Sequence, residues 1–102
     1  MKKIILIFIS LSFSFLSYAD FEYAVDEYYK ENYQAAFAEF QILAEQGDGN
    51  AQAYLASMYR YGSGVEKNEV LANTWDARSL PRLEALANQG NPEAQFWLAE
   101  SM

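Results

Sequence analysis

Apolar residues along this chain fall three and four positions apart, the spacing of one face of a helix. The period is clearest in Tyr33, Ala36, Phe37, Phe40, Leu43 and Ala44. It predicts a helix capped by Asn32 and closed at Gly47. A shorter helix precedes it, from Phe21 to about Lys30, and Ala51 to Tyr61 predicts a third. Asn68 can cap a fourth helix from Glu69 onward, with Val70, Leu71 and Trp75 as its apolar positions. Pro81 interrupts that pattern: the helix either ends near Ser79 and restarts with Pro81 in its first turn, or kinks there. Leu83, Leu86 and Ala87 continue the period to Gly90, and Pro92 opens a last helix running to the C-terminus. The expected class is all-α.

The first nineteen residues follow a different pattern. Lys2 and Lys3 precede an unbroken stretch of apolar residues and serines, Ile4 to Leu16, and Ser17-Tyr18-Ala19 places small residues before Asp20. This is the layout of a cleavable secretory leader with a cut after Ala19. The apolar stretch is thirteen residues, short of the roughly 20 that a spanning helix needs. The expectation is a periplasmic or secreted chain with no membrane association once the leader is removed.

The chain also repeats. Leu43 to Ala56 aligns with Leu86 to Ala99 without a gap at an offset of 43 residues, with eight identities in fourteen positions. Tyr54 meets Trp97, and Asp48 meets Asn91. A period in this range is the mark of stacked helical hairpins. The residues Ala51, Gln52, Leu55, Met58, Tyr59, Gly62, Gly64, Val65, Ala72 and Trp75, followed by Gln89-Gly90, resemble the Sel1-like repeat, a relative of the tetratricopeptide repeat. Ala56 and Asn68 stand where that pattern has Gly and Asp. The interval from Trp75 to Gly90 is seven residues longer than usual, and the region of Asp76 to Arg82 fills it. Seven residues are about two helical turns, so the apolar face keeps its phase.

The resemblance implies a short α/α solenoid: a leader at 1–19, a degenerate hairpin at 20–50, a Sel1-like repeat at 51–91 with an insertion near 76–82, and a partial repeat at 92–102. It also implies a protein–protein adaptor or regulator. Small exported members include immunity proteins that block secreted toxins. The alternatives are a truncated, non-functional remnant of a longer repeat protein and, last, an enzyme.

Gly62-Ser63-Gly64 poses the one question of chemistry. A dinucleotide loop needs a preceding strand and a third glycine where Lys67 stands, and a P-loop needs Gly-Lys-Ser/Thr; neither is present. The glycines read as a turn between helices, with Val65 turning into the core. There is no His and no Cys, which removes the usual general base, thiolate and zinc ligands. Asp48-Gly49-Asn50 begins like a calcium loop, but its later glycine and closing Glu are replaced by Ala53 and Tyr59. Glu27 and Glu31 read as a solvated pair on one helix face. No cofactor, metal or catalytic group is expected.

Charge narrows the partner. The chain carries a net charge of −7, and without residues 1–19 five basic residues face fourteen acidic ones, a net −9. Such a surface disfavours nucleic acid and anionic lipid and favours a protein with a basic patch. A helical wheel with Ala51 at zero puts Leu55, Tyr59 and Ala56 at about 40°, 80° and 140°, a single packed face. Tyr54, Met58 and Tyr61 lie at or beyond its edge, and Trp97 is the equivalent of Tyr54. The expected contact surface is Tyr54, Trp97 and Tyr61, with Gln52 and Gln95 beside them; the alternative is that these rings pack between adjacent hairpins as core.

Overall fold

A computed structural model describes residues 19–101; residues 1–18 and 102 lie outside the described set, and with them the expected leader apart from Ala19. The described residues form five helices and no strand: α1 Phe21–Tyr29, α2 Tyr33–Glu45, α3 Gly49–Tyr61, α4 Glu69–Asn88 and α5 Pro92–Ser101. The expected all-α class is found. Each helix packs on the next, and α3 also touches α5. No described helix is long and apolar enough to cross a membrane.

Short polar side chains start these helices. Asp20 accepts from Tyr23 N at 3.2 Å and Asn68 from Leu71 N at 3.0 Å, each satisfying a first-turn donor that has no partner inside the helix. Asn32 departs from expectation. Its side chain makes no capping bond but donates to Glu27 Oε2 at 2.8 Å. Glu31 lies past the end of α1 with φ 66°, so Glu27 and Glu31 do not share a helix face.

The 43-residue repeat is visible as a repeated set of hydrogen bonds. At the end of α2, Gly47 N donates to Ala44 O at 3.0 Å and Asp48 N to Leu43 O at 3.1 Å. At the end of α4, Gly90 N donates to Ala87 O and Asn91 N to Leu86 O, both at 3.0 Å. Each is a Schellman closure. Asp48 Oδ1 then accepts from Ala51 N at 3.1 Å, and Asn91 Oδ1 from Ala94 N at 2.9 Å, which starts the next helix. Gln52 Nε2 reaches back to Ala44 O at 3.0 Å, and Gln95 Nε2 to Ala87 O at 3.2 Å. The two turns also meet, since Asn50 Nδ2 donates to Asn91 Oδ1 at 3.3 Å. Three of the recurring positions are thus one device: glycine stops a helix, a short acceptor starts the next, and glutamine ties the two. Asp48, the head of the apparent calcium loop, is occupied as this cap.

Pro81 neither breaks α4 nor restarts it; the helix runs through Pro81 as one 20-residue element. Pro81 and Ala77, whose carbonyl loses its partner, are both exposed, so water can take the place of the missing bond. The buried positions of α4 are Ala72, Ser79 and Leu83, seven and four apart. Residues 76–82 span about two turns of α4, and its packed face keeps its phase across them.

The core lies around α3. Phe40, Leu55, Met58 and Tyr54 are its largest fully buried side chains. Here the one-face wheel is corrected: Tyr54 and Met58 are as buried as Leu55, while Tyr59 is only half-buried. Helix α3 is covered by α2, α4 and α5 and by rings from α1, and a helix enclosed on several sides buries more than one stripe. A second, smaller cluster joins Ala53, Leu83 and Ala94, and Trp97 packs against both clusters.

The turn after α3 answers the glycine question. Gly62 takes φ 68° at the end of α3, and Gly64 takes φ 75°. A Cβ on Gly64 would stand 2.6 Å from the backbone C and O of Tyr33. The loop is laid against the start of α2, which only a residue without a side chain permits. Val65 then packs on the main cluster.

Candidate functional site

Between α1, α3, α4 and α5 lies a cleft of about 640 Å³. Its floor is built from small side chains: Ala53 and Ser57, one turn apart on α3, and Ser79 on α4, with Leu83 beside it. Small side chains at this seam leave the space above them unfilled. The walls are aromatic. They comprise Tyr28 and Tyr29 of α1, Tyr54 and Tyr61 of α3, and Phe96 and Trp97 of α5, with Leu80 of α4. Tyr61 is 74% exposed and Phe96 53%, so ring surface is offered to whatever enters. Asp76, Ser79 and Leu80 come from residues 76–82 of α4, which therefore supply part of the lining.

The rings are locked together. Tyr54 stacks on Phe40 with centroids 4.4 Å apart and an interplanar angle of 7°. Its edges meet Trp97 at 4.9 Å and Tyr28 at 5.2 Å, and Phe96 meets Trp97 at 5.3 Å. Trp97 Nε1 is buried with no hydrogen-bond partner among the described residues.

Beyond Tyr29 lies a second depression of about 310 Å³, lined by Phe21 and Val25 and ringed by Glu22, Asp26 and Glu93. Tyr29 lines both hollows. Tyr54 forms part of the sill between them, its hydroxyl donating to Glu93 Oε2 at 3.4 Å. At the other side of the large cleft Arg60 is held by Asp76 at 2.6 Å and by Asn73 at 3.1 Å. Burial pushes the Tyr54 hydroxyl well above the usual tyrosine range, and its hydrogen bond with Tyr29 and the Glu93 carboxylate act in the same direction. Burial also raises the Tyr28 hydroxyl, against the opposing effect of a hydrogen bond with Ser57. Both phenols are neutral at ordinary pH.

Of the five residues expected to form a contact surface, Tyr54, Trp97 and Tyr61 do line this one cleft. Tyr54 is only 2% exposed, however, so it supports the wall rather than presenting a free ring. Gln52 and Gln95 do not line the cleft, and both donate to helix-end carbonyls. Gln52 is moreover buried, and its amide has a structural task in place of a surface one. Sequence reasoning missed Tyr28, Tyr29, Ser57 and Phe96. The spacing of Ala53 and Ser57 at i and i+4 was a signal for a shallow seam. Nothing local places α1 beside it.

No protein-family model, no curated protein and no solved structure matches this chain.

Proposed function

We propose that this chain is a short stack of helical hairpins of the Sel1-like kind that acts as a binding protein, holding a segment of another polypeptide in the aromatic cleft. The hairpin reading is supported by the Schellman closure, cap and glutamine tie that recur 43 residues apart. The binding reading rests on one observation: two hollows, of about 640 and 310 Å³, lie either side of Tyr29. Two hollows in a row accept successive side chains of an extended or helical segment. Aromatic walls supply contact area at little conformational cost. The polar groups lining the large cleft are tyrosine and serine hydroxyls, the Glu100 carboxylate and an Arg60–Asp76 pair already committed to each other. With no His or Cys in the chain, that set holds neither an imidazole nor a thiol.

Selection of peptides from a random display library on the purified protein tests this. Ser57→Trp places an indole on the floor of the cleft at a half-buried position, and its fold is checked by circular dichroism. Peptides enriched on the wild type and lost on Ser57→Trp support the reading. Peptides that bind both proteins equally, or no enrichment at all, refute it.

A further inference from the structure

We infer that the segment held here is basic, with an apolar side chain seated in the large cleft and a Lys or Arg side chain carried past Tyr29 into the acidic hollow; this deepens the binding proposed above and rests on it.

The argument is charge complementarity across a divided groove. The small hollow has an apolar base, Phe21 and Val25, and three carboxylates around it, Glu22, Asp26 and Glu93. A Lys or Arg side chain has the matching chemistry. Its methylene stem covers apolar surface while its charged head reaches the rim, and the Tyr29 ring beside it offers a face to a cation. Glu100 adds a further carboxylate where α5 borders the large cleft.

The protein's own cations are mostly committed. Lys30 pairs with Asp26 at 2.9 Å and Arg60 with Asp76 at 2.6 Å. Arg82 donates to Gly47 O at 3.0 Å, and Arg78 lies over the Trp75 ring at 4.8 Å. Lys67, the remaining basic residue after Ala19, is in the loop before α4 and lines neither hollow. Among the described residues, only Asp26 and Asp76 along the groove have a cation held against them, so the balance there is negative. A second copy of the chain would bring the same negative field to the same place and be repelled. An acidic or phosphorylated segment meets the same obstacle.

The spatial order also matters. Tyr29 lines both hollows, and the Tyr54 hydroxyl bonded to Glu93 joins the floor of one to the rim of the other. A ligand therefore engages both only if its basic group follows closely on its apolar anchor. Scattered positive charge does not meet this requirement.

Three synthetic 12-residue peptides test it, acetylated and amidated at their ends, each with two leucines four positions apart. One carries lysines flanking the leucines, the second serines and the third glutamates. Binding is read by fluorescence anisotropy on wild type, on Ser57→Trp and on the double variant Glu22→Gln/Glu93→Gln, with sedimentation of the protein alone. The lysine peptide is expected to bind about tenfold more tightly than the serine peptide at low salt, an advantage that shrinks as salt is raised. The glutamate peptide is expected not to bind. Glu22→Gln/Glu93→Gln should weaken the lysine peptide about fivefold and leave the serine peptide unchanged, and Ser57→Trp should abolish both. If the lysine and serine peptides bind within twofold of each other and both lose binding in Ser57→Trp, the cleft binds but the basic assignment is wrong. If no peptide binds, or Ser57→Trp changes nothing, the cleft reading itself falls. A wild-type dimer that Ser57→Trp dissociates would make a second copy the occupant and overturn the inference.

Discussion

Replacing Tyr54 separates what a ring contributes to this fold from what its hydroxyl contributes. Tyr54 is 2% exposed. Its ring stacks on Phe40 at 4.4 Å and meets the edges of Trp97, Tyr28 and Phe21 at 4.9, 5.2 and 6.0 Å. Truncating a buried aromatic residue to alanine costs about 3–5 kcal/mol, and the four ring contacts put Tyr54→Ala at the upper end of that range, since each adds beyond area alone. A domain of this size without disulfides holds near the low end of ~5–15 kcal/mol. Tyr54→Ala is therefore expected to be largely unfolded, or to melt at least ~15 °C below the wild type, at roughly 4–8 °C per kcal/mol. Tyr54→Phe keeps every ring contact and loses the hydroxyl's hydrogen bonds to Glu93, at 3.4 Å, and with Tyr29, at a cost of about 1–2 kcal/mol. Urea unfolding followed by circular dichroism measures both. A loss under about 1.5 kcal/mol for Tyr54→Ala would show that the ring is not the keystone of the core. A loss for Tyr54→Phe as large as that for Tyr54→Ala would shift the weight to the hydroxyl.

Two further expectations follow from particular atoms. Gly62→Ala meets nothing closer than 3.5 Å and pays only for its φ of 68°, about 1 kcal/mol. Gly64→Ala adds a contact at 2.6 Å with the Tyr33 backbone and should lose at least ~2–3 kcal/mol in the same assay; equal losses would contradict the close approach. The raised Tyr54 hydroxyl keeps its proton in the folded state while the unfolded chain releases it near pH 10. Below that pH the folded state incurs no penalty, and above it stability falls by up to ~1.4 kcal/mol per pH unit. Unfolding free energy between pH 9.5 and 11.5 should fall more steeply for wild type than for Tyr54→Phe; parallel slopes would refute the assignment.

What could be read from the sequence was what neighbouring residues decide. Helix ends follow from Asp48, Asn68, Gly47 and Gly62 through bonds a few residues long. The 43-residue register survives in the structure because its residues share one capping device. The register of α4 could be counted across residues 76–82, since seven residues return to the same face. Tyr54 was misplaced for a physical reason. A wheel assumes one buried stripe, whereas α3 is enclosed by four other helices, and every residue from Gly49 to Ala56 is buried. Asn32 failed as a cap because Glu27, which closes the preceding turn, offered its amide a carboxylate. The cleft was half legible. Trp97 and Tyr61 could be named from α3 and α5 alone, but Tyr28 and Tyr29 arrive through the packing of α1, and no local pattern encodes that.

The claim that the aromatic cleft is the binding surface is tested most directly by nuclear magnetic resonance of the ¹⁵N-labelled protein, titrated with a peptide selected on it. The indole N–H of Trp97, which has no acceptor among the described residues, reports from the wall itself. Saturation should move that resonance together with the amides of Ser57, Leu80 and Phe96, and leave the exposed positions Gln34, Ala38 and Gln41 of α2 in place. Shifts confined to Gln34, Ala38 and Gln41, with the Trp97 indole unmoved at saturation, would contradict the account.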